Sequence, residues 1–232
     1  QERHLVGTAY KQEGREKAIV LGLEIVGPKL AEFVKSASQY SGKTIYMHCW
    51  RGGMRSNSMA ILLETVGHKV VLLKKGYKAY RNFVLAQFTS AYKLASIAGY
   101  TGAAKTEILH VLKSMGQQIV DIEDLAKHKG SVFGNLDRET QPTSEQFENN
   151  LAKELLKLDP EKTIYFEDEG SILGHIKLPD VFFNAMQRAP MLFVERPKEL
   201  RMKHLMNVYG KNQNSESLKD AFLLIAKRLG GQ

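Results

Sequence analysis

"YKLASIAGYTGAAKTEILHVLKSMG" (residues 92–116) carries three local signals in order. A short apolar run ends at Gly99, a glycine-bearing loop follows, and apolar residues then recur at helical spacing until Gly116. Strand, loop, helix is the setting in which a chain binds phosphate. The free N–H groups at the helix start converge on one point, and the helix dipole adds positive potential there. Gly99, Thr101, Gly102, Ala103, Ala104, Lys105 and Thr106 are therefore candidate phosphate-binding residues. Lys105 would reach the phosphates, Thr106 a magnesium ion, and the N–H groups of 101–106 would wrap the anion. Ala104 departs from the pattern, which has glycine there, and its methyl would crowd the nearest phosphate oxygen. The plainer alternative is a helix start with an incidental glycine.

Downstream the alternation continues. Strand "QQIVDIE" (117–123) precedes helix "TSEQFENNLAKELLKL" (143–158), which Thr143 or Ser144 can cap. "KTIYFEDE" (162–169) and "PMLFVE" (190–195) read as strands, and helices are expected at about 179–188, 198–208 and 216–229. Strands alternating with helices imply an α/β fold with a parallel sheet and sites at the strand C-termini. Acidic residues sit at two such ends. Asp121, Glu167 and Asp168 are the candidates for magnesium, with Glu123, Asp124 and Glu169 alongside. The fully apolar run before Glu167-Asp168 favours that pair. Solvated strand-end acids remain the alternative. Arg201, and less readily Arg196, could fold over the phosphates.

Upstream of residue 89 the same alternation runs once already. "REKAIVLGLEIVGPKLAEFVKSA" (15–37) reads as one or two amphipathic helices broken at Gly27-Pro28. "KTIYMH" (43–48) is a strand. "SNSMAILLETVG" (56–67) is a helix that opens on a capping serine, "KVVLLKKG" (69–76) a strand, and "YKAYRNFVLAQF" (77–88) a helix. Tyr77 and Tyr80 share a face of that last helix, with packing as their default role. The restart places a boundary between domains 1–88 and 89–232.

The first domain contains "HCWRGGMRS" (48–56), with the chain's only cysteine and only tryptophan. Cys49 ends a strand, Arg55 stands six residues on at a helix start, and Gly52 and Gly53 permit a tight turn between them. In such a loop the N–H groups of 50–55, the helix dipole and a fixed cation all favour the thiolate, which is the nucleophile. Cys49, Arg51, Gly52, Gly53 and Arg55 are the candidate catalytic group. A packed structural cysteine is the alternative. Loops of this kind serve phosphatases and the sulfur- or selenium-carrying rhodaneses. Residues 1–88 contain no Asp to serve as a phosphatase general acid, which disfavours the first.

"HCWRGGMRS" followed by "LLKKGYKAYRNFV" resembles the rhodanese domain of the tRNA 2-selenouridine synthase family. "ERHLVGTAYKQEGREKA", "GYTGAAKT", "IVDIEDLAKHKGSVFG", "QPTSEQFENNL", "FEDEGSILGHIKLP" and "VERP" resemble that family in the same order through the rest of the chain. The resemblance implies a partial rhodanese-like domain followed by a P-loop NTPase-like parallel-sheet domain, with family sequence lacking at both ends. It further implies an enzyme that converts wobble 2-thiouridine of tRNA to 2-selenouridine with selenophosphate, through an S-geranyl intermediate made from geranyl diphosphate. Cys49 would carry the selenium and the P-loop would hold the diphosphate. His128 and Lys129 match a His-Arg-Gly-Ser segment of the family, with lysine for arginine, and are candidate RNA contacts.

Charge supports a polyanionic partner. The net +8 falls wholly on residues 1–88, which carry 14 Lys and Arg against 6 Glu, whereas residues 89–232 carry 19 of each sign. Lys74, Lys75 and Lys78 cluster after the second strand and are further candidate RNA contacts. A single cysteine, no apolar run of membrane length and no leader-like start fit a cytoplasmic protein. No His/Cys cluster indicates zinc. Two other functions stay open: a rhodanese-type sulfurtransferase fused to a small-molecule kinase, and a non-catalytic RNA-binding module.

Overall fold

The computed structural model describes residues 2–128 and 140–209. The chain divides into two compact units, 1–81 and 82–232. The helix expected at 216–229 and residue Lys129 lie outside the described residues.

The first unit opens with helices α1 (Glu2–Gln12), α2 (Arg15–Val26) and α3 (Leu30–Ser38). The stretch 15–37, expected as one or two helices broken at Gly27-Pro28, holds α2 and α3, and α1 precedes it. Gly14, at φ 94°, turns α1 into α2, and a short 3-10 turn over Gly27–Lys29 separates α2 from α3 because Pro28 has no N–H to continue the ladder. The small residues Ala9 and Ala18 are buried. Strand β1 (Thr44–Met47), helix α4 (Met54–Thr65), strand β2 (Lys69–Leu72) and helix α5 (Gly76–Gln87) follow. β1 and β2 pair in parallel, Thr44 against Lys69 and Met47 against Leu72, as a strand–helix–strand unit requires.

The second unit is built on a four-stranded, all-parallel sheet of order β4-β5-β3-β8. Its elements in chain order begin with β3 (Leu94–Ala98), α6 (Lys105–Ser114), β4 (Gln118–Ile119), α7 (Ile122–Ala126), α8 (Ser144–Leu155) and β5 (Ile164–Glu167). A hairpin, β6 (Ile172–Leu173) and β7 (Ile176–Lys177), leads to α9 (Asp180–Gln187), β8 (Met191–Phe193) and α10 (Lys198–Tyr209). β3 is buried along its whole length, which explains its continuous small and apolar composition. Phe147 and Leu151 of α8, Leu109 of α6 and Phe182 of α9 form the core with Ile164 and Phe166 of β5. Thr143, not Ser144, caps α8, its hydroxyl accepting from the Gln146 N–H at 3.2 Å.

The strand expected at 117–123 is much shorter. It ends at Ile119 because the Asp121 carboxylate accepts the Asp124 N–H and starts α7. The β6–β7 hairpin has no counterpart in the sequence reading. Among the described residues no helix is long and apolar enough to cross a membrane.

Candidate functional site

Two loops, each at the C-terminal end of a parallel strand, gather most of the residues singled out above. In the first unit Cys49 follows β1, and the chain turns through Gly52 and Gly53 into α4. That helix begins at Met54, with Gly53 as its N-cap, two residues before the serine expected to start it. Ser56 therefore lies inside the first turn, 3% exposed, and its hydroxyl has another use. It lies 3.3 Å from Cys49 Sγ and 3.1 Å from the Gly53 carbonyl, and the Gly53 N–H donates to Sγ at 3.2 Å. Burial pushes the Cys49 thiol up. The Ser56 hydroxyl and the backbone N–H groups of Gly53, Ser56 and Arg51 outweigh it and bring the thiol from an ordinary 9.0 down to about 6. Arg51 acts through its backbone, and exposed Arg55 makes no hydrogen bond to the sulfur.

The outer side of this loop is fixed by the segment after β2. Tyr77 and Lys78 N–H, at the start of α5, donate to the Cys49 and Trp50 carbonyls at 2.9 Å each. The loop's carbonyls thus face α5 while its N–H groups face the sulfur. The approach is close. A Cβ on Gly76 (φ 65°) would stand 2.2 Å from the Gly52 nitrogen and 2.3 Å from the Cys49 oxygen. This docking brings exposed Lys74, Lys75 and Lys78 to the cysteine loop. Gly76 escaped the sequence reading, and Ser56 entered it as a helix cap and not as a partner of the sulfur. The clue to Gly76 was a glycine at a helix start, where it has no propensity reason to be.

In the second unit the chain leaves β3 at Gly99 and re-enters a helix at Lys105. Ala104 has φ 69° and ψ 40°, the left-handed region that glycine normally occupies. The departure at this position thus strains the backbone, whatever its effect on a ligand. Lys105 Nζ donates to the Gly99 carbonyl at 3.4 Å, folding back along the loop. Gly102 (φ 83°) has no room for a side chain, since a Cβ would lie 2.7 Å from the Arg201 carbonyl oxygen. Arg201, from α10, donates through Nη1 to the Thr101 carbonyl at 3.2 Å and sits 5.0 Å from the Tyr100 ring. Arg196 Nη1 donates to the Gly102 carbonyl at 3.4 Å. Both arginines therefore reach the loop, through its carbonyls.

The acidic residues sort differently from expectation. Glu123, Glu167 and Glu169 bring carboxylate oxygens within 4.8 Å of one another. Glu167 ends β5 and is buried, its Oε1 without a hydrogen-bond partner. Burial first, then the charge of Glu123, pushes Glu167 up to about 7 despite hydrogen bonding to the Thr106 side chain. Burial and the charges of Glu123 and Glu167 push Glu169 up to about 8. Asp121 caps α7 and pairs with His110 Nε2 at 2.8 Å, although its charge still acts on Glu167. Asp168 lies outside the triad, and its N–H donates to the Ile97 carbonyl at 2.9 Å. Asp168 and Glu169 both lie beyond the end of β5, so the period of a strand does not by itself choose between them. Three carboxylates beside a threonine hydroxyl form a hard oxygen donor set, which suits magnesium. His128 adjoins the triad, its N–H donating to the Glu123 carbonyl at 3.1 Å and its Nδ1 buried without a partner.

A glycine-bearing strand-to-helix loop and an acidic triad, on a parallel sheet, agree with what the chain resembles. Residues 92–232 match the family model described as tRNA 2-selenouridine synthase AAA domain. The protein named tRNA 2-selenouridine synthase from Shewanella frigidimarina (strain NCIMB 400) is 36% identical across all of this chain and 68% of its own length. The one from Sulfurovum sp. (strain NBC37-1) is 35% identical across all of this chain and 69% of its own. The chain belongs to the tRNA 2-selenouridine synthase family. A crystal structure of an N-terminal domain from Clostridium difficile 630 shares 44% identity over 36% of this chain and 67% of its own, with a TM-score of 0.35.

Proposed function

We propose that this enzyme converts 2-thiouridine at the tRNA wobble position to 2-selenouridine, with one loop for each chemical step. The observation that carries the reading is the Cys49 sulfur, held as a thiolate at neutral pH inside a ring of N–H donors. Such a ring suits a small anion such as selenophosphate, and the loop's form supports a rhodanese-like role for the first unit. The loop at 99–106 suits the diphosphate of geranyl diphosphate, with Lys105 as its cation. Glu123, Glu167 and Glu169 would hold magnesium, which would neutralise diphosphate charge. In this scheme the thiouridine sulfur attacks C1 of the geranyl group and diphosphate leaves. Selenium of selenophosphate then bonds to C2 as the C2–S bond breaks and geranyl thiol departs, and water cleaves the phosphorus–selenium bond to release phosphate. Cys49 handles the selenium donor in the second step. Lys74, Lys75 and Lys78 meet the RNA backbone from the first unit, and His128 is placed to reach bound substrate beside the triad.

Mass spectrometry of nucleosides tests the division of labour, with 2-thiouridine tRNA, selenophosphate and geranyl diphosphate as substrates. Cys49→Ala should abolish 2-selenouridine while geranylated nucleoside accumulates. Lys105→Ala should block geranylation yet leave selenium exchange intact on tRNA already geranylated. Selenouridine formed by Cys49→Ala, or loss of both steps in Lys105→Ala, would overturn the assignment.

A further inference from the structure

The cysteine loop carries a feature that handling an anion does not require. Trp50, next to the nucleophile, is 45% exposed although it is the only tryptophan of the chain. Its backbone is pinned, since its carbonyl accepts the Lys78 N–H at 2.9 Å. Its ring packs on Tyr77 with centroids 5.7 Å apart and planes at 44°. Tyr77 in turn stacks on His48 at 5.5 Å and meets Tyr80 at 5.7 Å. The result is an indole held in place from behind and open in front. Arg51 and Arg55 share its loop, and Lys74, Lys75 and Lys78 lie on the segment docked against that loop; all five are exposed and none is ion-paired among the described residues. An apolar ligand would gain nothing from five unpaired cations, whereas single-stranded nucleic acid uses both parts. Its bases stack on the ring while its phosphates meet the cations.

We infer that Trp50 is a stacking platform for an unpaired RNA base, holding the base beside Cys49. It is a positioning residue, and its role rests on the tRNA reading given above. The platform explains why an aromatic residue follows the nucleophile directly: the base plane must come within bonding reach of whatever the sulfur holds.

Because Trp50 is the only tryptophan, its fluorescence reports on its own ring. The probes are an RNA stem-loop with 2-thiouridine in the loop and the same stem-loop abasic at that position, with binding followed separately by anisotropy of a 5′ dye. The thiouridine stem-loop should bind and quench Trp50, and the abasic one should bind more weakly and leave it unquenched. Trp50→Ala should weaken binding of the thiouridine stem-loop by about tenfold, the loss of one stacked base, and Trp50→Phe should recover most of it. Both variants should keep the wild-type rate of Cys49 alkylation by iodoacetamide, showing an intact loop. RNA that binds without quenching, or Trp50→Ala that binds as wild type, overturns the platform and leaves the tRNA reading standing. Quenching by geranyl diphosphate alone but not by RNA overturns it in favour of a prenyl site. Failure of any RNA to bind removes the tRNA reading and the platform with it.

Discussion

The reactivity of Cys49 rests on hydrogen bonds that need no neighbouring cation. Three backbone N–H groups and one hydroxyl offset the burial of the sulfur and hold the thiol near 6. Ser56 supplies the only side chain among them, from a site so enclosed that water cannot replace it. A hydrogen bond to a charged group is worth about 1.5–3 kcal/mol. Ser56→Ala should therefore raise the midpoint of the pH–alkylation profile by at least about one pH unit. The sign is fixed by the thiolate being reactive: the rate climbs as pH rises through the midpoint, so the variant should be slow at pH 7 and match wild type near pH 10. Ser56→Thr, which keeps the hydroxyl, should restore the wild-type midpoint. An unchanged profile in Ser56→Ala would return the work to the backbone alone. At this scale the sequence marks Cys49 and its glycines clearly, because their types are unusual where they stand. It does not mark Ser56, since a serine before an apolar helical run reads equally as a cap. Nor does it separate Asp168 from Glu169, which only the pleat of β5 and the chain beyond it does.

Elements meet the loops through backbone, and glycine and alanine decide how closely. α5 reaches the cysteine loop because Gly76 has no side chain to hold the two chains apart. Gly76→Ala would place a methyl against three backbone atoms and force a left-handed alanine. Those penalties together should cost at least about 2 kcal/mol. The expected result is earlier unfolding in urea together with a raised Cys49 midpoint, because the loop must open to admit the methyl. Stability and midpoint both at wild-type values would show that α5 does not hold the loop. Ala104 poses the opposite case. It already occupies the left-handed region at a cost of about 1 kcal/mol, and Ala104→Gly would relieve it. Glycine gives back about 0.5–1 kcal/mol in unfolded-state entropy, so stability should hardly change. Binding should change instead. Without the methyl, calorimetry should show ATP, with more oxygens to enclose, gaining more affinity than geranyl diphosphate. Equal gains would mean that the methyl faces neither ligand. Element types along the chain were legible where the pattern is plain, because β3 and β5 are short apolar runs and α3, α8 and α9 carry an apolar stripe at helical spacing. β4 is shorter than its sequence suggests because "QQIV" runs into an aspartate whose side chain prefers a helix start to a ladder. The β6–β7 hairpin leaves no signal in the sequence because two-residue strands have no period.

Over the whole molecule, charge and chemistry are divided between the units. The first unit holds the thiolate and the entire cationic excess. The second holds the glycine-bearing loop of residues 99–106 and three crowded carboxylates, within a stretch of balanced charge. This split could be read from composition, since long-range electrostatics depends on where charges fall along the chain and little on how each side chain is turned. The unit boundary was less legible. It falls after Arg81, inside α5, whereas the sequence shows only where the next strand pattern begins. If the first unit meets the RNA backbone, tRNA affinity must fall steeply with salt, because each phosphate neutralised releases a counterion. Each engaged lysine contributes about 0.7–0.9 to the slope of log K against log salt. Replacing Lys74, Lys75 and Lys78 together by alanine should therefore lower the magnitude of that slope by about 2. These side chains are exposed and unpaired among the described residues, so the folded state should be undisturbed. Affinities should converge with wild type at high salt, where the counterion term vanishes and only stacking and hydrogen bonds remain. A slope unchanged by the triple variant would mean that these lysines do not touch the phosphates, and that the RNA track runs over another face.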